Sequence, residues 1–303
     1  MTILLQILPL AIAAATPLLL AVIGELTVER SGVINLGLEG MMLMAAMTAV
    51  LAAQWSRSVL VGIAGGIAGA LAVAVVFGIP AILFRTDQIV TGTAINFLAL
   101  GTTGIVYRQL QNSGVFEQGV PHLAQRGLPL LRAIPIAGPL LFGQDLLIPL
   151  AWIAVPIAAR VVLWSSTFGL RLRACGENPA AVIANGLSVD RYRWAALGIE
   201  AALAGTAGAY LSLSLADGFA ENMVSGRGFI ALAIVIFGRW RIRGSVAGAS
   251  LFGAAAATQF ALQAWGRGVP FHLLLALPYV ITIAILCGVT GAVRSPEALG
   301  KRD

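Results

Sequence analysis

Six stretches of this chain contain no Asp, Glu, Lys or Arg: residues 1–24, 40–56, 58–84, 88–107, 244–266 and 268–293. Each is near or above the roughly 17–25 residues that cross the hydrocarbon of a bilayer, where a charge at the centre costs at least about 2.5–3.5 kcal/mol. Two further stretches are shaded by charge: 146–164 carries Arg160 near one end, and 192–215 carries Glu200 inside it and Arg193 at its edge. A strand-built barrel would instead alternate apolar and polar residues in segments of about ten. With 59% hydrophobic and only 11% charged residues, the composition excludes a soluble enzyme. The pattern predicts an all-α, polytopic membrane helix bundle of about eight membrane-crossing segments in a single domain, 1–303, one of them short or discontinuous.

The start of the chain is apolar and Ala-rich from Ile3 to Leu20, but its first basic residue is Arg30. A secretory signal carries its basic residues before the apolar run, so residues 1–24 read as a retained span. Cys175 falls in a polar loop and Cys287 in the last span, which argues against a disulfide. Those two thiols with His122 and His272 form no metal-ligand spacing, so no metal is expected.

Orientation follows from the 19 Lys and Arg residues. Thirteen fall on one side: Arg30, Arg85, Arg160, Arg171, Arg173, Arg191, Arg193, Arg239, Arg241, Arg243, Arg294, Lys301 and Arg302. Six fall on the other: Arg57, Arg108, Arg126, Arg132, Arg227 and Arg267. The richer side, with the C-terminus, is predicted to be cytoplasmic. The net charge of +6 is thus explained by topology and needs no nucleic-acid partner. The count requires Phe229–Phe237 to cross as a half-helix or re-entrant piece, since about ten residues cover only about 15 Å. Such a piece is tolerated only where protein or a water-filled cavity covers its open backbone. Residues 108–145, broken by Pro129, Pro135 and Pro139, read as an ordered extracytoplasmic loop.

The cytoplasmic segment 165–191 leaves a span at Trp164, carries Arg171 and Arg173, and breaks at Gly176. It restarts a helix at Asn178-Pro179, a cap followed by a first-turn proline. That helix is short and Ala-rich and stops at Gly186. It rests either on lipid or on its own bundle, or docks on a partner.

Within the spans, Glu200 faces a solute path, carries a proton or pairs structurally with a rim arginine. Asn35 and Glu39 flank the Gly-broken segment Gly32 to Gly40, which is either a place where backbone ends meet a polar solute or a tight turn. Thr91, Thr93 and Asn96 line a hydroxyl-binding path or, more in keeping with membrane helices, make interhelical hydrogen bonds. Ala201, Gly205 and Ala209, with Ala204 and Gly208, make a smooth face for close packing, as do Gly62, Gly66 and Ala70. The chain has one Lys, Lys301, so it lacks the phosphate-cradling Gly-x-x-x-x-Gly-Lys loop, and no Ser/His/Asp or Cys/His arrangement is present.

Four ordered segments resemble the permease subunits of bacterial ATP-binding-cassette (ABC) importers of the branched-chain amino acid, ribose and nucleoside class. They are Glu29 to Met42 (ERSGVINLGLEGMM), Phe168 to Ala181 (FGLRLRACGENPAA, followed by Asn185-Gly186-Leu187), Ala202 to Ala209 (ALAGTAGA) and Gly226 to Trp240 (GRGFIALAIVIFGRW). The first and last look closest to the nucleoside-uptake branch. The resemblance implies a type II ABC importer permease fold in the bacterial inner membrane. It implies coupling to a cytoplasmic ATPase through Gly169, Arg171, Arg173, Gly176, Glu177, Asn178, Pro179 and Ala181; the candidate solute path, Asn35, Glu39, Thr91, Thr93, Asn96 and Glu200, is read from intramembrane polarity instead, and Glu200 departs from the small or hydroxylated residue usual in that family. The resemblance further implies a second, homologous permease, an extracytoplasmic solute-binding protein, and ATP and Mg²⁺ bound only by the ATPase subunits, with no cofactor on this chain. The solute expected is a nucleoside. A simple sugar such as ribose is the alternative, and an ion-coupled secondary transporter a more remote one.

Overall fold

The computed structural model describes residues 2–112, 119–123, 138–216, 218–264, 280 and 294–301. All of their regular structure is helical. In chain order the α-helices are α1 (Thr2–Glu29), α2 (Leu38–Ser56), α3 (Val59–Gly78), α4 (Gln88–Asn112), α5 (Leu147–Pro149), α6 (Val155–Arg160), α7 (Thr167–Glu177), α8 (Pro179–Ala184), α9 (Val189–Tyr210), α10 (Arg227–Phe237) and α11 (Ile242–Ala264). Wider π turns extend α3 through Leu83 and α9 through Leu215, and join α5 and α6 into one rod, Leu147–Ser165.

Six of these rods are long and apolar enough to cross a membrane: Ile7–Glu29, Leu38–Ser56, Val59–Leu83, Gln88–Asn112, Leu147–Ser165 and Val189–Leu215. They match six expected spans, and α11 occupies the position of a seventh. Apart from Val280, the expected span 268–293 lies outside the described residues, as do most of the 108–145 loop and Arg126, Arg132, Arg267, His272 and Cys287.

The centre is built from α1, α2 and α9, with α3 against α2 and α9 and α11 against α1. Small residues make this contact. A Cβ on Gly208 would run into the Met42 carbonyl oxygen and come within 2.7 Å of Ala45 Cβ; one on Gly205 would sit 2.5 Å from Ile67 Cα. Ala201, Ala204 and Ala209 are fully buried beside them. The four-residue spacing of small residues therefore brings backbones together, where dispersion and shape hold membrane helices.

Two differences from the sequence reading have physical causes. Helix α1 does not stop at Gly24; it runs on to Glu29, and both Glu25 and Glu29 are buried. The charge-free criterion ended the span at its first carboxylate, whereas here those carboxylates have partners. Arg227, counted with the outer arginines, instead opens α10 beside the first turn of α2, about 25 Å along that helix from Arg57. The chain after α9 folds back into the bundle, and α10 spans only part of its depth, as its 11 residues require.

The loops gather at two ends. At one, Arg30 lies 3.6 Å from Glu177, Arg193 Nε donates to the Ser31 carbonyl at 3.4 Å, Ala298 N donates to the Gly176 carbonyl at 2.8 Å, and Gly300 N donates to the Gly32 carbonyl at 3.2 Å. At the other, Arg57 donates to the Gly119 carbonyl at 3.3 Å, Leu123 N donates to the Leu213 carbonyl at 2.9 Å, and Arg108 pairs with Glu221 at 2.8 Å.

Candidate functional site

The break between α1 and α2 organises the interior. Gly37 N donates to Asn35 Oδ1 at 2.9 Å, Gly40 N donates to Asn96 Oδ1 at 2.8 Å, and Asn96 Nδ2 donates to the Leu36 carbonyl at 2.7 Å. Backbone groups freed by the missing helical turn are thus recovered by two asparagines, as a bilayer interior demands. Asn35 also joins two carboxyls: its backbone N–H donates to Glu25 Oε1 at 3.2 Å and its Nδ2 to Glu200 Oε2 at 2.8 Å. Both carboxyls are fully buried. One turn beyond Glu25, Glu29 accepts from Trp240 Nε1, while Arg30 donates to the Trp240 carbonyl at 2.6 Å.

Glu39 has a different task. Its Oε1 accepts from Gly226 N and its Oε2 from Gly228 N, both at 2.7 Å. A carboxylate therefore caps the start of α10, where the first N–H groups lack intrahelical partners and the helix dipole favours negative charge. This covers the open backbone that the half-helix was expected to expose.

Of the remaining candidates on α4, Thr91 Oγ1 lies 3.0 Å from Thr86 Oγ1 and donates to the Asp87 carbonyl at 2.7 Å. Thr93 Oγ1 donates back to Ile89, and its side chain is exposed. The structure thus brings Asn35, Glu200 and Glu25 together, and Glu39 and Asn96 onto the same broken segment. Thr91 and Thr93 stand apart. Glu25 is the residue sequence reasoning missed; the Glu25/Glu29 spacing of four, continuing the apolar helix without a breaker, was the available signal.

The second cluster is the segment after the fifth rod. Ser166 caps α7 by accepting from Gly169 N at 3.0 Å, and Asn178 caps α8 by accepting from Ala181 N at 3.1 Å. Pro179 occupies the first turn of α8, and Gly186 follows it at φ +73°, a left-handed conformation that glycine adopts without a side-chain clash. Gly176 presses against the Arg30 carbonyl, with no room for a Cβ, so α7 abuts the α1–α2 break. Gly169 packs equally closely on Val162 and Leu163. Arg173 lies over the Trp164 ring at 5.7 Å, and Arg171 donates to the Tyr192 hydroxyl at 3.2 Å. Val182 is buried among Cys175 and Val189, anchoring α8. The rest of α8 faces outward: Ala180, Ala181, Ile183 and Ala184 are exposed, and Leu170 and Ile183 are each 60% exposed. Helix α8 is thus an apolar, well-capped helix standing off a polar end of the bundle.

At the opposite end, Asp145 is buried and accepts from Ser214 Oγ. Burial pushes its carboxyl up, with the serine partly opposing the shift. Glu221 is held below the usual carboxylate range by the Arg108 hydrogen bond.

Residues 7–286 match the family model described as branched-chain amino acid transport system / permease component. The chain is 34% identical to the guanosine ABC transporter permease protein NupQ of Bacillus subtilis, over 97% of this chain and 95% of that one. It is 33% identical to the nucleoside ABC transporter permease protein NupC of Lactococcus lactis, over 94% and 92% respectively. It is also 33% identical to TsgC13 of Haloferax volcanii, assigned as a glucose ABC transporter permease, over 91% of this chain and 88% of that one. Among solved structures, an inward-facing ABC transporter assigned to the metal-chelate type has the same fold, with a TM-score of 0.52 at 16% identity over 94% of this chain and 86% of that chain.

Proposed function

This chain belongs to the family of branched-chain amino acid transport system permease components, and from that premise we propose that it passes a nucleoside across the bacterial cytoplasmic membrane. It is a multi-pass membrane protein. The carrying observation is near-full-length similarity to guanosine and nucleoside permeases at 33–34% identity. The resemblance to a glucose permease makes a simple sugar the second reading.

In this reading the exposed apolar face of α8, with Leu170, seats in a groove of a partner ATPase, which supplies ATP hydrolysis. The side bearing α7, α8 and the C-terminal residues is cytoplasmic. The contacts Gly176–Arg30, Ala298–Gly176 and Gly300–Gly32 carry movement of α8 to the α1–α2 break, because close-packed backbones transmit displacement rather than absorb it. An extracytoplasmic binding protein delivers the solute, and a second permease completes the pathway.

Of the residues expected along the path, Thr93 is exposed, whereas Asn35, Glu39, Asn96 and Glu200 serve the polar framework of the broken segment. The test is uptake in cells whose nucleoside, ribose and glucose routes are deleted and which carry this permease with its own partners. Labelled guanosine or adenosine is expected to accumulate, with excess leucine or glucose failing to compete. Uptake of glucose or ribose without nucleoside uptake would favour the sugar reading.

A further inference from the structure

Helix α4 is mostly exposed. Helix α3, also largely exposed, presents Leu60, Val61, Leu71, Val75, Val76 and Ile79. Helix α4 likewise presents Ile89, Val90, Phe97, Leu98, Leu100 and Ile105, but with Thr93, Gly101 and Thr102 set among them. Thr93, Phe97, Gly101, Gly104 and Arg108 follow one another at three- and four-residue steps and so share one face. The outer half of that face walls a cavity of about 520 Å³, completed by Glu221 and Asn222 from the segment that follows α9. This volume falls within the roughly 300–1,000 Å³ range of small-molecule sites.

Three features of this cavity point to one kind of occupant. A Cβ added to Gly101 or Gly104 would meet nothing within 4 Å, so packing among the described residues does not require glycine at either place. Glycine weakens a helix relative to alanine, and a bare helical surface is of use when something flat must lie close to it. Phe97, 69% exposed, stands one turn below Gly101 and offers an unpaired aromatic face. Above them Glu221, Arg108 and Asn222 supply acceptors and donors at the outer rim, with Glu221 kept ionised by Arg108.

We propose that this cavity is a receiving site for a nucleoside, its base lying on Phe97 and the bare backbone at Gly101, and its ribose beside Gly104 with its hydroxyls donating to Glu221. Base–aromatic stacking tolerates any base, which suits a permease serving more than one nucleoside. The proposal rests on the nucleoside reading above.

The experiment uses the full complex, with the second permease, ATPase and binding protein, in proteoliposomes. Gly101→Leu fills the cavity without a clash, and Gly198→Leu, at a helical glycine whose Cβ also meets nothing, is the control. Gly101→Leu and Phe97→Ala are expected to cut adenosine uptake at least tenfold, with Gly198→Leu and basal ATP hydrolysis unchanged. Glu221→Ala is expected to bring the adenosine to 2′-deoxyadenosine uptake ratio towards one. Wild-type uptake rates in both Gly101→Leu and Phe97→Ala would overturn the site while leaving the nucleoside reading intact. Absence of nucleoside uptake by the wild-type complex would overturn both. Loss of the second permease from purified Gly101→Leu complexes would show that a neighbouring protein occupies the cavity and would equally overturn the proposal.

Discussion

Replacing Glu39 by Ala tests whether the half-helix is held by a carboxylate rather than by burial alone. Both oxygens accept a backbone N–H at 2.7 Å, from Gly226 and Gly228. In water-soluble proteins a hydrogen bond to a charged group contributes about 1.5–3 kcal/mol, which would total about 3–6 kcal/mol here. Measured interhelical hydrogen bonds in membranes average nearer 0.6 kcal/mol, because the unfolded chain in lipid finds other partners. The two N–H groups open a helix already facing the protein interior and gain the dipole attraction as well, so a loss of about 2–3 kcal/mol is expected. Glu39→Gln keeps one acceptor and loses about half of that. Denaturation of the purified chain in mixed micelles gives the free energies directly. Wild-type stability in Glu39→Ala, or a Gln variant weaker than the Ala variant, would refute the capping argument.

Glu200→Gln is expected to fold and transport nearly as the wild type, because its carbonyl still accepts from Asn35; Glu200→Leu orphans the Asn35 amide and should lower folded yield on detergent extraction. Burial raises the Asp145 carboxyl, so the protonated form is favoured by the fold. Its contribution is then fully present below the unfolded value and lost as pH rises through the raised one, and thermal scans across pH should show acid gain in the wild type but not in Asp145→Asn. Ala181→Arg places bulk on the exposed face of α8 without touching its cap. A groove that excludes added volume penalises it by about 1–3 kcal/mol, so solute-stimulated ATP hydrolysis should fall about tenfold while the chain remains inserted; full stimulation would remove α8 from the coupling role.

Much of the architecture was legible because bilayer physics writes it into composition. Charge-free runs marked the rods, the small-residue steps at Ala201, Gly205 and Ala209 marked the contact face of α9, and Asn178-Pro179 with Gly186 marked both ends of α8. The site was less legible because side-chain partners come from distant parts of the chain. Glu39 meets Gly226 and Gly228 across more than 180 residues, and Glu200 meets Asn35 across 165. In the sequence Glu200 reads as a solitary intramembrane charge, because the charge-free criterion that finds the first span leaves its neighbour Glu25 outside it. Gly101 and Gly104 carry no sequence signal that separates a cavity wall from a packing contact; that distinction required their surroundings.

The central claim is a nucleoside permease driven by a partner's ATP hydrolysis, and its most direct test is transport by proteoliposomes containing this chain, its second permease and its ATPase. With the binding protein and labelled guanosine outside and ATP inside, the account expects accumulation against a gradient that stops when ATP is replaced by a non-hydrolysable analogue and is indifferent to collapse of proton and sodium gradients. Accumulation that persists without ATP and disappears with an ion gradient would contradict it.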